Sequence, residues 1–117
     1  AEAQTAEDNG VKAIDAEELA AAKQDAKNKI AKDVEAANAA IESNPNLSED
    51  EKKGFKDAVD AEAAKAVADI EKATTPEAAQ AAEDNGVKAI DAKELAAAKQ
   101  DAKNKIAKDV EAAKEAI

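Results

Sequence analysis

The side chains that could do chemistry in this chain are carboxylates, lysines and a few hydroxyls. The 117 residues include 27 acidic residues and 17 lysines, but no His, Cys, Met, Trp, Tyr or Arg. Because a hydroxyl nucleophile needs a neighbouring base, the absence of His argues against nucleophilic catalysis. We therefore predict that the chain is not an enzyme and has no catalytic residue. Its hydroxyls all fall at expected helix ends: Thr5, Ser43, Ser48, Thr74 and Thr75.

Acidic clusters are the next candidates. The run Glu7-Asp8-Asn9-Gly10, copied at 83–86, is similar to part of a calcium loop. A calcium loop needs oxygen ligands at alternate positions and a bidentate Glu at the twelfth, and neither is present. Both Asn-Gly pairs are instead expected to end helices, and we predict no metal site and no cofactor site. Glu17–Glu18 and Glu49–Glu51 fall at expected helix starts, where the helix dipole favours negative charge.

A basic run is the last candidate. It comprises Lys23, Lys27, Lys29 and Lys32, copied at Lys99, Lys103, Lys105 and Lys108. Asp25 and Asp33 are interleaved with the first run, so pairs such as Asp25–Lys29 predict a solvated helix face. The alternative is a contact with an acidic partner or a neighbouring repeat.

Composition favours an all-α fold and excludes two kinds of partner. The chain has 35 Ala, and its only aromatic residue is Phe55. Ala, Lys and Glu are strong helix formers, and so few large apolar residues predict a thin core drawn out along the molecule. The net charge of −10 argues against nucleic acid. No apolar run is long enough to span a membrane.

A duplication organises the chain. Residues 6–41 and 82–117 are identical at 33 of 36 positions, at an offset of 76. We expect an internal piece of a tandem array, divided into the end of a preceding repeat (1–14), one full repeat (15–90) and the first long helix of the next (91–117). An engineered consensus repeat is an alternative, although the irregular Gly54 and the Asn44-Pro45-Asn46 turn favour a natural origin.

Helix signals divide the full repeat. A long helix 15–43 is predicted to begin with the cap Asp15, the capping-box partner Glu18 and a staple between Ile14 and Leu19, repeated from Asp91. A second long helix 48–73 follows the Asn-Pro-Asn turn, with Ser48 and Glu51 as its capping box. The expected buried positions are Leu19, Ala26, Ile30, Val34, Ala37 and Ile41 in the first, and Phe55, Val59, Ala63, Ala66, Val67 and Ile70 in the second.

A short helix 76–85 is predicted next, with Thr75 as cap, Pro76 at its first position and Gly86 at its end. Gly54 is expected to mark a close helix crossing beside Phe55, with a ligand cleft as the alternative. The predicted fold is all-α: tandem three-helix bundles, each with two long antiparallel helices and one short helix, forming an elongated rod. Whether the short helix packs on the earlier or the later hairpin stays open. Helix 92–117 should pack on a neighbouring unit or on another copy of the chain.

A set of helix caps, turns and apolar positions in this chain resembles the pattern of a known family. It consists of Ile41, Asn44-Pro45, Leu47-Ser48-x-x-Glu51-Lys52, Val59-Asp60, Ile70, Thr74-Thr75 and Gly86-x-x-x-Ile90-Asp91. The pattern resembles a family of unknown function whose units of about 75 residues form arrays in wall-anchored adhesins of Gram-positive bacteria. The helix-start turn is also similar to that of the three-helix immunoglobulin- and albumin-binding modules of such bacteria, which are shorter.

The resemblance implies a non-enzymatic stalk or spacer on the bacterial cell surface that projects a distal binding region from the wall. Its partners would be the neighbouring repeats in the same chain. One alternative is a helical module that binds fibronectin, albumin or immunoglobulin, although binding hot spots favour Trp, Tyr and Arg, which are missing. The other alternative is homotypic association between arrays on neighbouring cells.

Overall fold

The structure consists of three helices in a thin rod. The computed structural model describes the backbone of residues 2–117 and the side chains of residues 15–117. Helix α1 spans Glu2–Glu42, α2 spans Glu49–Lys72 and α3 spans Pro76–Ala116, with no strand in this range. The molecule measures 91 × 17 × 15 Å. The predicted all-α class, three-helix packing and elongated shape are confirmed.

The turns between the helices lie at the positions that the sequence predicts. After α1 the amide of Asn44 donates to the Ile41 carbonyl at 3.2 Å, and Pro45 cannot continue the helix. At the start of α2 the Ser48 hydroxyl accepts from the Glu51 amide at 3.1 Å, while the Glu51 carboxylate accepts from the Ser48 amide at 2.9 Å. Thr75 caps α3 by accepting from the Ala78 amide, with Pro76 in the first turn. These caps confirm the predicted starts of α2 and α3.

A narrow core runs along the three helices. The large side chains that are fully buried are Ile30, Ile41, Val59, Ile70 and Ile90, and the other buried apolar residues are mostly Ala. Alanine allows helix axes to approach closely, which explains a rod only about two helices wide. The buried faces expected for α1 and α2 are confirmed from Ala26 onward, with Val34, Phe55, Ala63 and Val67 partly buried at the edge of the core. Leu19, also expected to be buried, is half-buried and lies outside this core.

The two predicted helix breaks are wrong. Each of α1 and α3 is a single helix of 41 residues that continues through its Asn-Gly pair. Neither the break at Gly86 nor new helix starts at Asp15 and Asp91 are present, so 76–85 is the first part of a longer helix. A Gly cap requires positive φ, which no described glycine adopts. The rest of the preceding unit, including the staple residue Ile14, lies outside the described side chains.

The reason for continuity is a close helix contact at Gly86. A Cβ on this residue would lie 2.5 Å from the Ala66 Cβ and 2.8 Å from the Ile30 Cδ1. Gly86 is therefore the close crossing that the sequence had assigned to Gly54. A Cβ on Gly54 would meet nothing within 4 Å, so the predicted crossing there is wrong.

The open question about the short segment is answered by the same contacts. Gly86 and Ile90 are buried against the hairpin that precedes them in the chain, formed by α1 and α2. Since α2 runs antiparallel to both neighbours, α1 and α3 are parallel. The bundle therefore consists of the second half of α1, all of α2 and the first half of α3. The proposed division at residues 15 and 91 stays a prediction.

Candidate functional site at the repeat junction

The second half of α3 repeats the sequence of α1 in different surroundings. Ile30 and Ile41 are 1% and 0% exposed in α1, whereas their copies, Ile106 in α3 and Ile117 directly after it, are 63% and 104% exposed. Val110 is also exposed, while its counterpart Val34 is partly buried. The same residues therefore form a core in one helix and a bare apolar stripe in the other. We call the stripe formed by Ile106, Val110 and Ile117 the open face.

On its other side α3 holds the turn between α1 and α2. Asp101 accepts from the backbone amide of Asn46 at 2.6 Å, and the Asn104 amide donates to the Asn46 carbonyl at 2.9 Å. Asn104 also donates to Glu51 at 2.9 Å, and thereby joins α3 to the α2 capping box. We call Asp101 and Asn104 the turn clamp. It fixes the end of one bundle to a helix that continues beyond it.

The residues equivalent to the turn clamp in α1 are Asp25 and Asn28. Gln24 donates to Asn28 at 3.0 Å, as Gln100 donates to Asn104 at 2.9 Å. Asn28 is exposed, while Asn104 is half-buried against the turn. The Gln-to-Asn hydrogen bond beside the clamp is therefore present in both copies, and only the copy at Asn104 is covered.

An acidic pair lies between α1 and α3. Burial is the largest cause that raises the pKa of Asp33 from 3.8 to about 6, and the hydrogen bond with Asp91 and the charges of Asp91 and Glu94 contribute in the same direction. One oxygen of Asp33 is buried and accepts no hydrogen bond. Two carboxyl groups can share a hydrogen bond only when one is protonated, so the arrangement favours proton uptake. The pair joins the first helix of the bundle to the helix that leaves it.

The second copy of the calcium-like run lies inside a helix. Glu83 is 6% exposed, its carboxylate lies 3.9 Å from Lys29 on α1 and it accepts from Gln80 at 3.1 Å. Asp84 is exposed and also accepts from Gln80. Glu83 therefore points into the bundle and Asp84 away from it. Within the described residues no group of three acidic side chains is arranged to hold a metal ion.

The basic face of α1 contacts α2. Lys23 donates to the Glu71 carbonyl at 2.8 Å, and Lys27 lies 3.1 Å from the Glu71 carboxylate. The predicted Asp25–Lys29 pair is confirmed at 3.5 Å. The prediction of a wholly solvated face is thus wrong for Lys23 and Lys27, because both compensate the carboxyl end of α2.

The remaining sequence candidates have structural roles. A backbone hydrogen bond from Ser48 lowers the pKa of Glu51, and a hydrogen bond from Lys56 lowers the pKa of Glu42. Ser43 donates to the Ala39 carbonyl at 2.9 Å and so closes α1. Glu17 and Glu18 are exposed on the continuous α1. The side chains of Glu7, Asp8 and Thr5 lie outside the described residues.

A shallow apolar groove separates α2 from α3 beside Gly54. It is lined by Glu51, Gly54, Phe55, Ala58, Lys93 and Ala96. The missing Cβ of Gly54 opens the groove, and the half-buried Phe55 forms its floor.

Across the described ranges, no helix has a stretch long and apolar enough to cross a bilayer.

Sequence reasoning missed the junction because it placed a break within it. The signal was present in the spacing, since Ala79, Glu83, Gly86 and Ile90 recur every three or four residues and are all buried. A helical stripe that continues through a glycine indicates a helix that continues too. The turn clamp had no comparable signal, because its residues look like an ordinary solvated face.

The bundle corresponds to a known sequence family. A family model described as "Domain of Unknown Function (DUF1542)" matches residues 22–98. This range contains the second half of α1, all of α2 and the first half of α3. No solved structure matches the chain.

Several curated proteins are similar to the chain. It is 40% identical over 99 residues to "Extracellular matrix-binding protein EbhA" of Staphylococcus aureus strain Newman, which covers 84% of the chain and 3% of that protein. The match to "Extracellular matrix-binding protein ebh" of strain NCTC 8325 / PS 47 has the same identity and covers 1% of that protein. The EbhA of strain Mu3 is 36% identical over 110 residues. The chain thus corresponds to a very small part of these relatives.

Proposed function

Because this chain belongs to the DUF1542 family, we propose that it is a non-enzymatic spacer repeat in the stalk of a bacterial cell-surface adhesin. Its place would be outside the cell, where an array of such repeats holds a distal binding region away from the wall. The observation that carries the proposal is α3, a continuous helix that packs in one bundle and then presents a second copy of the α1 core sequence. A helix shared by two consecutive bundles fixes the orientation of one bundle relative to the next.

The surface chemistry supports a spacer role. Several acidic and basic side chains serve the rod itself: Glu51 is part of a helix cap, Lys27 forms an ion pair between helices and Asp101 belongs to the turn clamp. Among the described side chains, 15–117, the large ones that are fully buried number five, spread along the bundle. Such a core suits a repeat whose stability comes partly from its neighbours.

Small-angle X-ray scattering on chains of two, three and four repeats tests the spacer role. The maximum dimension should grow linearly with repeat number, while the radius of the cross-section stays constant. Particles whose cross-section grows, or whose length stops growing, would contradict the proposal.

A second candidate function is binding to a host matrix or serum protein. The names of the similar staphylococcal proteins favour it, and the groove beside Phe55 is an apolar surface that a helix or loop could fill. Surface plasmon resonance of the bundle against fibronectin, albumin and immunoglobulin tests it. Micromolar or tighter binding that Phe55→Ala abolishes would support this function. Equal responses for both variants would exclude the groove.

The third candidate is homotypic association of arrays. Sedimentation velocity over a hundredfold concentration range separates it from the spacer role, because a spacer alone keeps one sedimentation coefficient. A coefficient that rises with concentration would favour aggregation between cells.

A further inference from the structure

The open face has a covered counterpart within the same molecule. Ile106, Val110 and Ile117 stand 76 positions after Ile30, Val34 and Ile41. The counterparts belong to the bundle core together with residues of α2 such as Val59, Ala66 and Ile70. Since side chains in identical local sequence are covered in one place and bare in the other, the bare set lacks a copy of what covers the first.

Charge on α3 indicates the same missing element. Lys23 and Lys27 on α1 contact Glu71 near the end of α2. Their copies Lys99 and Lys103 make no ion pair within 4 Å among the described residues. A second α2 placed on the open face as α2 is placed on α1 would bring its own Glu71 equivalent to these two lysines. The open face and the two lysines are thus both complementary to a second copy of α2.

Leu95 extends the match to the turn before α3. It is 55% exposed, while its counterpart Leu19 is partly covered beside Thr74, Thr75 and Pro76. The same turn from a following copy would cover Leu95. Every exposed large apolar residue of the described chain is therefore explained by one and the same occupant.

We propose that the second half of α3 is the docking face for a following copy of residues 47–90, so that one unbroken helix serves as the third helix of one bundle and the first helix of the next. The inference deepens the proposed spacer role, and it rests on that role only in requiring that copies follow one another along the chain. The neighbouring copy contributes α2, the turn after it and the first part of its own α3.

The geometry fixes the advance per repeat. At Ile30 beside Gly86, Asp33 beside Asp91 and Leu19 beside Pro76, the α3 number exceeds the α1 number by about 57. The copy of any α1 residue lies 76 positions later. The difference of about 19 residues, at 1.5 Å per residue, advances the rod by about 28 Å per repeat. Separate bundles stacked end on end would advance by at least the length of α2, about 36 Å for its 24 residues.

Hydrogen exchange on an extended chain tests the docking face. The chain 1–117 is compared with the same chain followed by a second copy of residues 42–90. In the shorter chain we expect amides of 107–116 to exchange on the order of 100-fold faster than those of 31–40, because an unpacked helix end opens locally. In the extended chain the two segments should be protected equally.

Matched substitutions provide the control. Ile30 and Ile106 lie in the same local sequence, Lys-Asn-Lys-Ile-Ala-Lys-Asp-Val. Ile106→Asp should leave the melting temperature of the shorter chain unchanged but abolish the protection gained in the extended chain. Ile30→Asp should lower the melting temperature of both the shorter and the extended chain. If Ile30→Asp fails to fold, the single variants Ile30→Ala and Ile106→Ala give the same comparison.

The outcomes separate this inference from the spacer role. Unchanged exchange of 107–116 in the extended chain would overturn the docking face, even if scattering still shows linear growth. Protection that appears in the shorter chain only at high concentration would also overturn it, because the occupant would then be a second molecule. An increment near 28 Å per repeat supports the shared helix, whereas an increment of 36 Å or more contradicts it. If scattering shows compact particles while the amides of 107–116 are protected in the extended chain, the spacer role is refuted and the docking face is retained.

Discussion

Gly86 and Gly54 are both helical glycines, but only one of them is required by its surroundings. Gly86 is buried against Ala66 and Ile30, at distances that leave no room for a methyl group. Gly54 is exposed and has open space where a Cβ would lie. Since the Ala66 Cβ is fixed to the backbone of α2, it cannot move aside as a long side chain could. The close crossing therefore depends on Gly86.

Gly86→Ala should destabilise the bundle. The new methyl group overlaps Ala66 and forces the helices apart, at a cost of about 1–3 kcal/mol that exceeds the gain in helix propensity. Urea denaturation followed by circular dichroism measures the change. The control is Gly54→Ala, which should stabilise the chain by about 0.5–1 kcal/mol, because only the helix propensity changes. Equal effects of the two variants would refute the crossing.

Asp33 should make stability depend on pH. Its pKa is raised from 3.8 to about 6 in the folded chain, so folding takes up a proton between these values. The stabilising contribution is complete below pH 3.8 and is lost as the pH rises through about 6. Asp33→Asn resembles the protonated form and should raise the melting temperature at pH 7.5 more than at pH 4.

The copy of Asp33 provides the matched control. Asp109 is exposed and pairs with Lys105 at 3.1 Å. Asp109→Asn removes the same charge, so any effect of net charge alone appears in both variants. If the two substitutions shift the melting temperature alike at both pH values, the carboxyl pair with Asp91 does not control the pH response.

At the scale of the element, α3 has two faces with different partners along its length. Its first half packs on α1 and α2, its middle clamps the turn at Asn46, and its last turns carry the open face. The helix is continuous through these three segments, and the first two make the contacts with α1, α2 and the turn. Its propensity alone would not fix the length, since most helical stability in proteins comes from packing.

The turn clamp should contribute to stability only where it is occupied. Asn104→Ala removes hydrogen bonds to the Asn46 carbonyl and to Glu51, and should cost about 1 kcal/mol. Asn28→Ala, at the equivalent position in α1, should change stability by no more than about 0.5 kcal/mol, because Asn28 is exposed. Thermal denaturation of both variants provides the measurement. A larger loss for Asn28→Ala would contradict the assignment.

At the scale of the whole molecule, the rod is longer than any bundle it contains. The bundle occupies the length of α2, while α1 extends beyond it at one end and α3 at the other. A bend between repeats would require α3 to bend within an unbroken hydrogen-bonded helix. A shared helix therefore makes the rod stiffer than a chain of bundles joined by loops.

Stability should rise with repeat number and then level off. Each added repeat covers one open face and supplies one turn clamp, so the gain per repeat reflects the interface as well as the unit itself. Guanidinium denaturation of chains with one to four repeats should show midpoints that increase by progressively smaller steps. Identical midpoints for all lengths would indicate bundles that unfold independently.

The all-α class, the period of the repeat and the helix caps at Ser48 and Thr75 could be inferred from the sequence. Ala-rich composition set the helices, the offset of 76 revealed the repeat, and Asn44-Pro45-Asn46, Ser48 and Thr75 placed the turns. These features act locally, through backbone conformation and hydrogen bonds within a few residues, so they can be inferred without knowing the neighbours.

The tertiary structure was needed to show that α1 and α3 continue through their Asn-Gly pairs and which copy of each residue is covered. Asn85-Gly86 is locally compatible with a helix end, but the contact of Gly86 with Ala66 and Ile30 favours a helix that passes through it. Ile30 and Ile106 have the same local sequence and opposite exposure. Identical local sequence cannot encode that difference, because burial depends on which other helix is present at the same height along the rod.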